Sequence, residues 1–100
     1  MTGEFDIAAI DDMIHSRLRL GIMAYLTGSG SADFNTLKAK LQASDGNLSV
    51  QLRKLEEAGY VKIAKSFAGR KPLTQVSLTD AGREAFVAYL DAIEKLLPKT

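Results

Sequence analysis

A chain of 100 residues, 46% apolar and 25% charged, is enough for one soluble globular domain with a modest core. The absence of cysteine excludes disulfides, thiolate metal sites and cysteine nucleophiles, and a net charge of +1 points to no partner class by itself. No apolar run approaches the roughly 18 residues of a membrane span, and the N-terminal MTGEFDIAAIDDM carries acids where a signal peptide carries bases, so the expected location is the cytoplasm.

Phe5, Ile7, Ile10, Met13 and Ile14 recur at helical spacing, and Leu18, Leu20, Ile22, Met23 and Leu26 continue the pattern. This predicts one long helix, or two abutting ones, from about Asp6 to Leu26. Gly28-Ser29-Gly30-Ser31 then stops it in a turn. Ala32-Asp33-Phe34 is long enough for a minor strand, and Asp33 or Asn35 can cap a second helix with Leu37 and Leu41 on its apolar side.

The next helix, about Asp45–Ala58, carries the clearest signals. Ser44 suits the N-cap and Asp45 complements the dipole of the first turn. Leu48, Leu52 and Leu55 make one narrow apolar stripe. Gly59 fits the left-handed position after the helix, with Tyr60 packing back on Leu55 as in a Schellman ending. Val61–Phe67 alternates as a strand, Ala68-Gly69-Arg70-Lys71-Pro72 is a turn, and Thr74, Val76 and Leu78 return as a second strand. Thr79 caps a last helix with a broad stripe of Phe86, Tyr89, Leu90, Ile93, Leu96 and Leu97, which Pro98 ends. There is no repeat or internal boundary, so residues 1–100 read as one domain. The fold class is α+β, mostly α: a helix-turn-helix, a wing of two or three strands and a long C-terminal helix.

That order has a chemical meaning. Two short helices joined by a tight turn at Gln42–Ala43 place the second where it can enter a DNA major groove. With its leucines turned to the core, its free face shows Gly46, Asn47, Ser49, Val50, Arg53 and Lys54. Arginine pairs bidentately with guanine, asparagine with adenine, serine with either, and a small apolar group meets the thymine methyl. Gly46, near the helix start, lets backbone N–H groups approach a phosphate. Glu56 and Glu57 lie near the far end and are expected to point away from the duplex. Lys65, Arg70 and Lys71 put cations on the hairpin, at about residues 67–73, where a wing tracks the backbone or enters the minor groove. Charge is distributed accordingly: residues 1–15 total −4, residues 16–43 and 44–78 total +3 each, and residues 79–100 total −1.

HSRLRLGIMAYL (His15–Leu26), DFNTLKAKL (Asp33–Leu41), DGNLSVQLRKLEEAGYV (Asp45–Val61), KSFAGRKPLT (Lys65–Thr74) and LTDAGREAF (Leu78–Phe86) together resemble the small winged-helix DNA-binding domains of MarR- and ArsR-related transcriptional regulators. The resemblance covers about three quarters of the chain in order and spacing. It implies that Asn47, Ser49, Val50, Arg53 and Lys54 occupy recognition-helix positions, and that Arg70 and Lys71 occupy the wing. Gln51 stands where such proteins often carry histidine. Leu73 stands where a basic residue often follows the wing proline, which implies a less cationic wing and modest affinity.

Two kinds of function remain in view: a DNA-binding transcriptional regulator, and a winged helix that docks proteins without reading DNA. Catalysis is not expected. His15 is the sole histidine, so neither a Ser/His/Asp set nor a metal site has its ligands, and Asp11 and Asp12 are adjacent acids on one segment. No cofactor is implied. Tyr25, Phe34, Phe67 and Tyr89 suit a small-molecule effector pocket or plain packing, and packing is the simpler account. Phe5, Ile7 and Ile10 with Phe86, Tyr89, Leu90, Ile93, Leu96 and Leu97 make more apolar surface than one small domain needs, which predicts a homodimer.

Overall fold

The computed structural model describes residues 5–97, and its first segment departs from the helix predicted over Asp6–Leu26. Only the second half of that stretch is α-helical. Asp6 accepts a hydrogen bond from the Ala8 N–H and opens a single 3-10 turn, Ile7–Ala9. Asp11 accepts from the Met13 N–H at 2.8 Å, and Ser16 is fully extended. Short acidic side chains that bind their own neighbouring backbone compete with helix formation. The apolar spacing still has a purpose, because Ile14 is fully buried while Ile10 and Met13 pack against the core.

Helix α1 (Arg17–Ser29) contributes Ile22, Met23 and Leu26 to the core. Strand β1 (Ser31–Asp33) follows, and the Asp33 carboxylate caps α2 (Phe34–Leu41) by accepting from the Thr36 N–H at 2.7 Å. Hydrogen bonds from the Thr36 backbone and side chain, with a smaller one from the Asn35 backbone, lower the Asp33 carboxyl from its ordinary value. Gln42, left-handed at φ 53°, turns the chain into α3 (Asp45–Glu57). Strands β2 (Val61–Ala68) and β3 (Lys71–Leu78) form the hairpin, and α4 (Asp80–Leu96) closes the chain. Leu97 is already extended, and Pro98, expected to end this helix, lies outside the described residues.

The sheet is antiparallel in the order β1-β3-β2. Ala68 pairs with Lys71, so Gly69–Arg70 is a two-residue turn, tighter than the five-residue turn expected. Pro72 is tolerated because it pairs opposite Phe67, one step from the turn-closing pair, where its missing N–H points away from β2. On its other side β1 reaches only as far as Gln75. Beyond that point the hairpin projects as a wing.

A single cluster of buried side chains joins Ile14, all four helices and the sheet: Leu37 from α2, Leu48, Leu52 and Leu55 from α3, Val76 from β3, Phe86 and Tyr89 from α4. Two contacts lock α4 to the end of α3. The Thr79 hydroxyl donates to the Gly59 carbonyl at 2.6 Å and accepts from the Gly82 N–H at 2.9 Å. A Cβ on Gly82 would lie 2.1 Å from the Tyr60 carbonyl oxygen, so only glycine lets the two backbones approach this closely.

Candidate nucleic-acid interface

Helix α3 is built as the sequence suggests. Ser44 Oγ accepts from the Asn47 N–H at 3.2 Å, which satisfies one of the free donors of the first turn. At the far end the Tyr60 N–H reaches the Leu55 carbonyl and the Gly59 N–H reaches that of Glu56, both at 2.9 Å. These are the two bonds of a Schellman ending, with Gly59 at φ 84°. Leu48, Leu52 and Leu55 are buried, so the helix has one possible rotation about its axis.

That rotation leaves Gly46, Asn47, Ser49, Val50, Arg53 and Lys54 exposed. Val50 is 42% exposed on the outward side. The helix stands as a ridge between two clefts. On the wing side, Ser49 and Arg53 face Lys65 and Thr74 across a cleft of about 430 Å³ floored by Phe34, Leu52 and Ile63. Glu56 lines the same cleft. On the α1 side, Asn47 and Gln51 border a second cleft of about 670 Å³ with Arg17 and Lys40.

The wing extends the same face. Lys65 opposes Thr74 and Phe67 opposes Pro72, in the alternation that carries Ile63 and Val76 on the side of α3. Arg70 and Lys71 are exposed at the turn. Among the described residues Arg53, Lys54, Lys65, Arg70 and Lys71 form no ion pair, whereas Lys38 of α2 is engaged with Asp45 at 2.8 Å. These five cations need break no ion pair to meet a polyanion.

Several contributors escaped the sequence reading. Arg17 and Lys40 flank the start of α3 from other helices. Arg19 donates to the Met13 carbonyl at 2.6 Å and to Gln51 Oε1 at 2.5 Å, and Gln51 Nε2 donates to Asn47 Oδ1 at 3.1 Å. Tyr60 donates to Asp11 Oδ2 at 2.5 Å. That hydrogen bond, aided by partial burial and by the carboxylate's charge, pushes the Tyr60 phenol up to about 12. No local pattern marks such pairs, because they join residues 32 and 49 apart in sequence.

The surface proposed for self-association divides in two. Phe86 and Tyr89 are buried within the chain, Tyr89 accepting or donating at His15 Nδ1 at 2.8 Å. Ile10 and Ile93 pack partly against the same core. Phe5, Ile7, Leu90 and Leu97 remain at least half exposed, joined by Val87, and Leu96 is intermediate. Of the four aromatics considered for an effector pocket, Tyr25 and Phe34 pack against the core and Phe67, 72% exposed, stands on the wing. Among the described residues no three potential metal ligands come together, and no helix is long and apolar enough to cross a membrane.

Known proteins share this arrangement. A family model described as a winged helix DNA-binding domain matches residues 18–97. An uncharacterised protein of Methanocaldococcus jannaschii is 40% identical over 84 residues, 84% of this chain and 91% of its own. A transcriptional regulator homologue from Pyrococcus horikoshii OT3 superposes with a TM-score of 0.78 at 35% identity, covering 82% of this chain and 81% of that one. Reduced AbfR bound to DNA superposes with a TM-score of 0.72 at 26% identity over 86% of this chain, which spans 60% of that longer protein. A structure of AbfR from Staphylococcus epidermidis matches similarly, with a TM-score of 0.71 at 27% identity, covering 84% of this chain and 55% of that one.

Proposed function

The chain belongs to the winged helix DNA-binding domain family, and on that premise we propose that it is a homodimeric transcriptional regulator that reads duplex DNA with α3 and steadies it with the wing. The observation that carries this reading is the single face shared by α3 and the hairpin, on which unpaired cations surround an exposed polar helix. The similarity to a regulator homologue and to a protein solved on DNA supports it.

In this reading α3 lies in the major groove. Gly46 brings the backbone close to a phosphate, Asn47, Ser49 and Arg53 meet base edges, Val50 meets a thymine methyl, and Lys54 meets a phosphate. Lys65, Arg70 and Lys71 hold the backbone or minor groove at the wing, and Arg17 and Lys40 hold phosphates at the opposite cleft. The exposed apolar residues Phe5, Ile7, Val87, Leu90 and Leu97 form the centre of a two-fold contact, with Leu96 at its edge. Phe86, Tyr89, Ile10 and Ile93 support that contact from beneath by fixing α4. The two recognition helices then lie about 34 Å apart, one turn of DNA.

Arg53 and Arg70 separate base reading from backbone holding. On duplexes selected from a randomised pool, Arg53→Ala should relax preference at one base pair by about 1–3 kcal/mol. Arg70→Ala should weaken all sequences alike. Unchanged affinity and preference in Arg53→Ala would show that α3 is not the reading helix.

A further inference from the structure

The side chains behind Asn47 are arranged with a direction. A guanidinium offers only donors. Gln51, facing Arg19 at 2.5 Å, must therefore turn its amide oxygen to it. Its amide nitrogen is then committed to Asn47, at 3.1 Å, and Asn47 must answer with its own oxygen. What Asn47 has wholly free to show is its Nδ2 amine, with a single lone pair left on Oδ1.

Arg19 is fixed from behind. Its Nε donates to the Met13 carbonyl, in the turn that the Asp11 carboxylate pins through the Met13 N–H. The other oxygen of Asp11 is held by Tyr60, just past the end of α3. The chain of hydrogen bonds thus starts beyond the C-terminus of α3, crosses the N-terminal turn and returns to the first turn of the same helix.

We propose that Arg19 and Gln51 are positioning residues that set the polarity of Asn47, so that the start of α3 offers the groove an amine rather than a carbonyl oxygen. This rests on the DNA reading above. An amine seeks acceptors, which the major groove supplies as guanine O6 and N7, thymine O4 and adenine N7; guanine and thymine offer acceptors alone, whereas the amino groups of cytosine and adenine are mismatched to it. The preference differs from the bidentate adenine contact that asparagine suggests by type, because one lone pair of Oδ1 is already engaged with Gln51.

The test is selection of duplexes from a randomised pool by the full chain and by two variants. Gln51→Glu keeps an oxygen for Arg19 but puts a second oxygen where the amide nitrogen was. Asn47 must then donate inward and turn its Oδ1 outward. The expected result is a motif changed at one base pair per half-site, from an acceptor-bearing to an amino-bearing base, by about tenfold in relative preference, with the other positions unchanged. Arg19→Met frees Gln51 to flip and should make the same base pair degenerate. Relative preference at one position is a readout that general loss of stability or added charge does not move. Gln51→Glu carries the test alone if Arg19→Met does not fold. A Gln51→Glu motif identical to that of the unmodified chain, at whatever affinity, overturns the proposal and leaves the DNA reading standing. No enriched motif and no salt-sensitive binding by the unmodified chain defeats the DNA reading itself.

Discussion

Tyr60 shows how much one side chain can organise here. Its amide ends α3, its carbonyl accepts from the Thr79 N–H, and its hydroxyl holds Asp11. The phenol is held protonated, with a pKa of about 12 against an ordinary value of 10. A folded pKa above the unfolded one means that the contribution is complete below about pH 10 and is lost as pH rises toward 12. Tyr60→Phe should therefore lower the denaturant midpoint at pH 8, and the gap to the unmodified chain should close between about pH 10 and 12. A gap that stays constant across that range would mean the hydroxyl contributes nothing through Asp11. At this scale the sequence was only half legible. Tyr60 was read as a packing residue after Gly59, which it is, but its partner lies in a segment whose acids looked like a helix face. Gln51 stood out only as a departure from related proteins, and Arg19 only as one more positive charge.

Among the elements, α3 and α4 were the most legible because their ends are written locally. Ser44, Gly59 and Thr79 each act within a few residues of their position, so propensity and capping suffice to place them. The N-terminal segment was misread because apolar spacing does not distinguish a helix from an irregular turn that buries the same residues. Asp6 and Asp11 decide that case by binding nearby N–H groups. The junction between α3 and α4 is where two elements depend on one atom. Placing a methyl on Gly82 forces α4 away from the Tyr60 carbonyl and strains the Thr79 bridge. Gly82→Ala should cost about 1–3 kcal/mol in chemical denaturation, as overpacking does. A change under about 0.5 kcal/mol would show that the first turn of α4 can shift without loss.

For the whole molecule, the winged-helix architecture was legible from element order alone, and the family match over residues 18–97 bears it out. The apolar surface was less so, since periodicity shows that α4 has a broad apolar stripe but not which part of it the chain itself covers. The structure covers Phe86 and Tyr89 and leaves Val87, Leu90 and Leu97 exposed. Leu90→Asp, exposed in the single chain, should leave the fold intact and shift sedimentation at micromolar concentration from dimer to monomer. A Leu90→Asp variant that sediments as the unmodified chain does would remove this face from the interface. The face shared by α3 and the wing is the one proposed to hold duplex DNA through its free cations. That proposal is tested most directly by measuring affinity for a labelled duplex across salt concentrations. Each phosphate neutralised by Lys or Arg contributes about −0.9 to the slope of log affinity against log salt. A slope steeper than about −4 is expected, reduced in Arg70→Ala. Affinity that is absent at low salt, or flat as salt rises, would contradict the proposal.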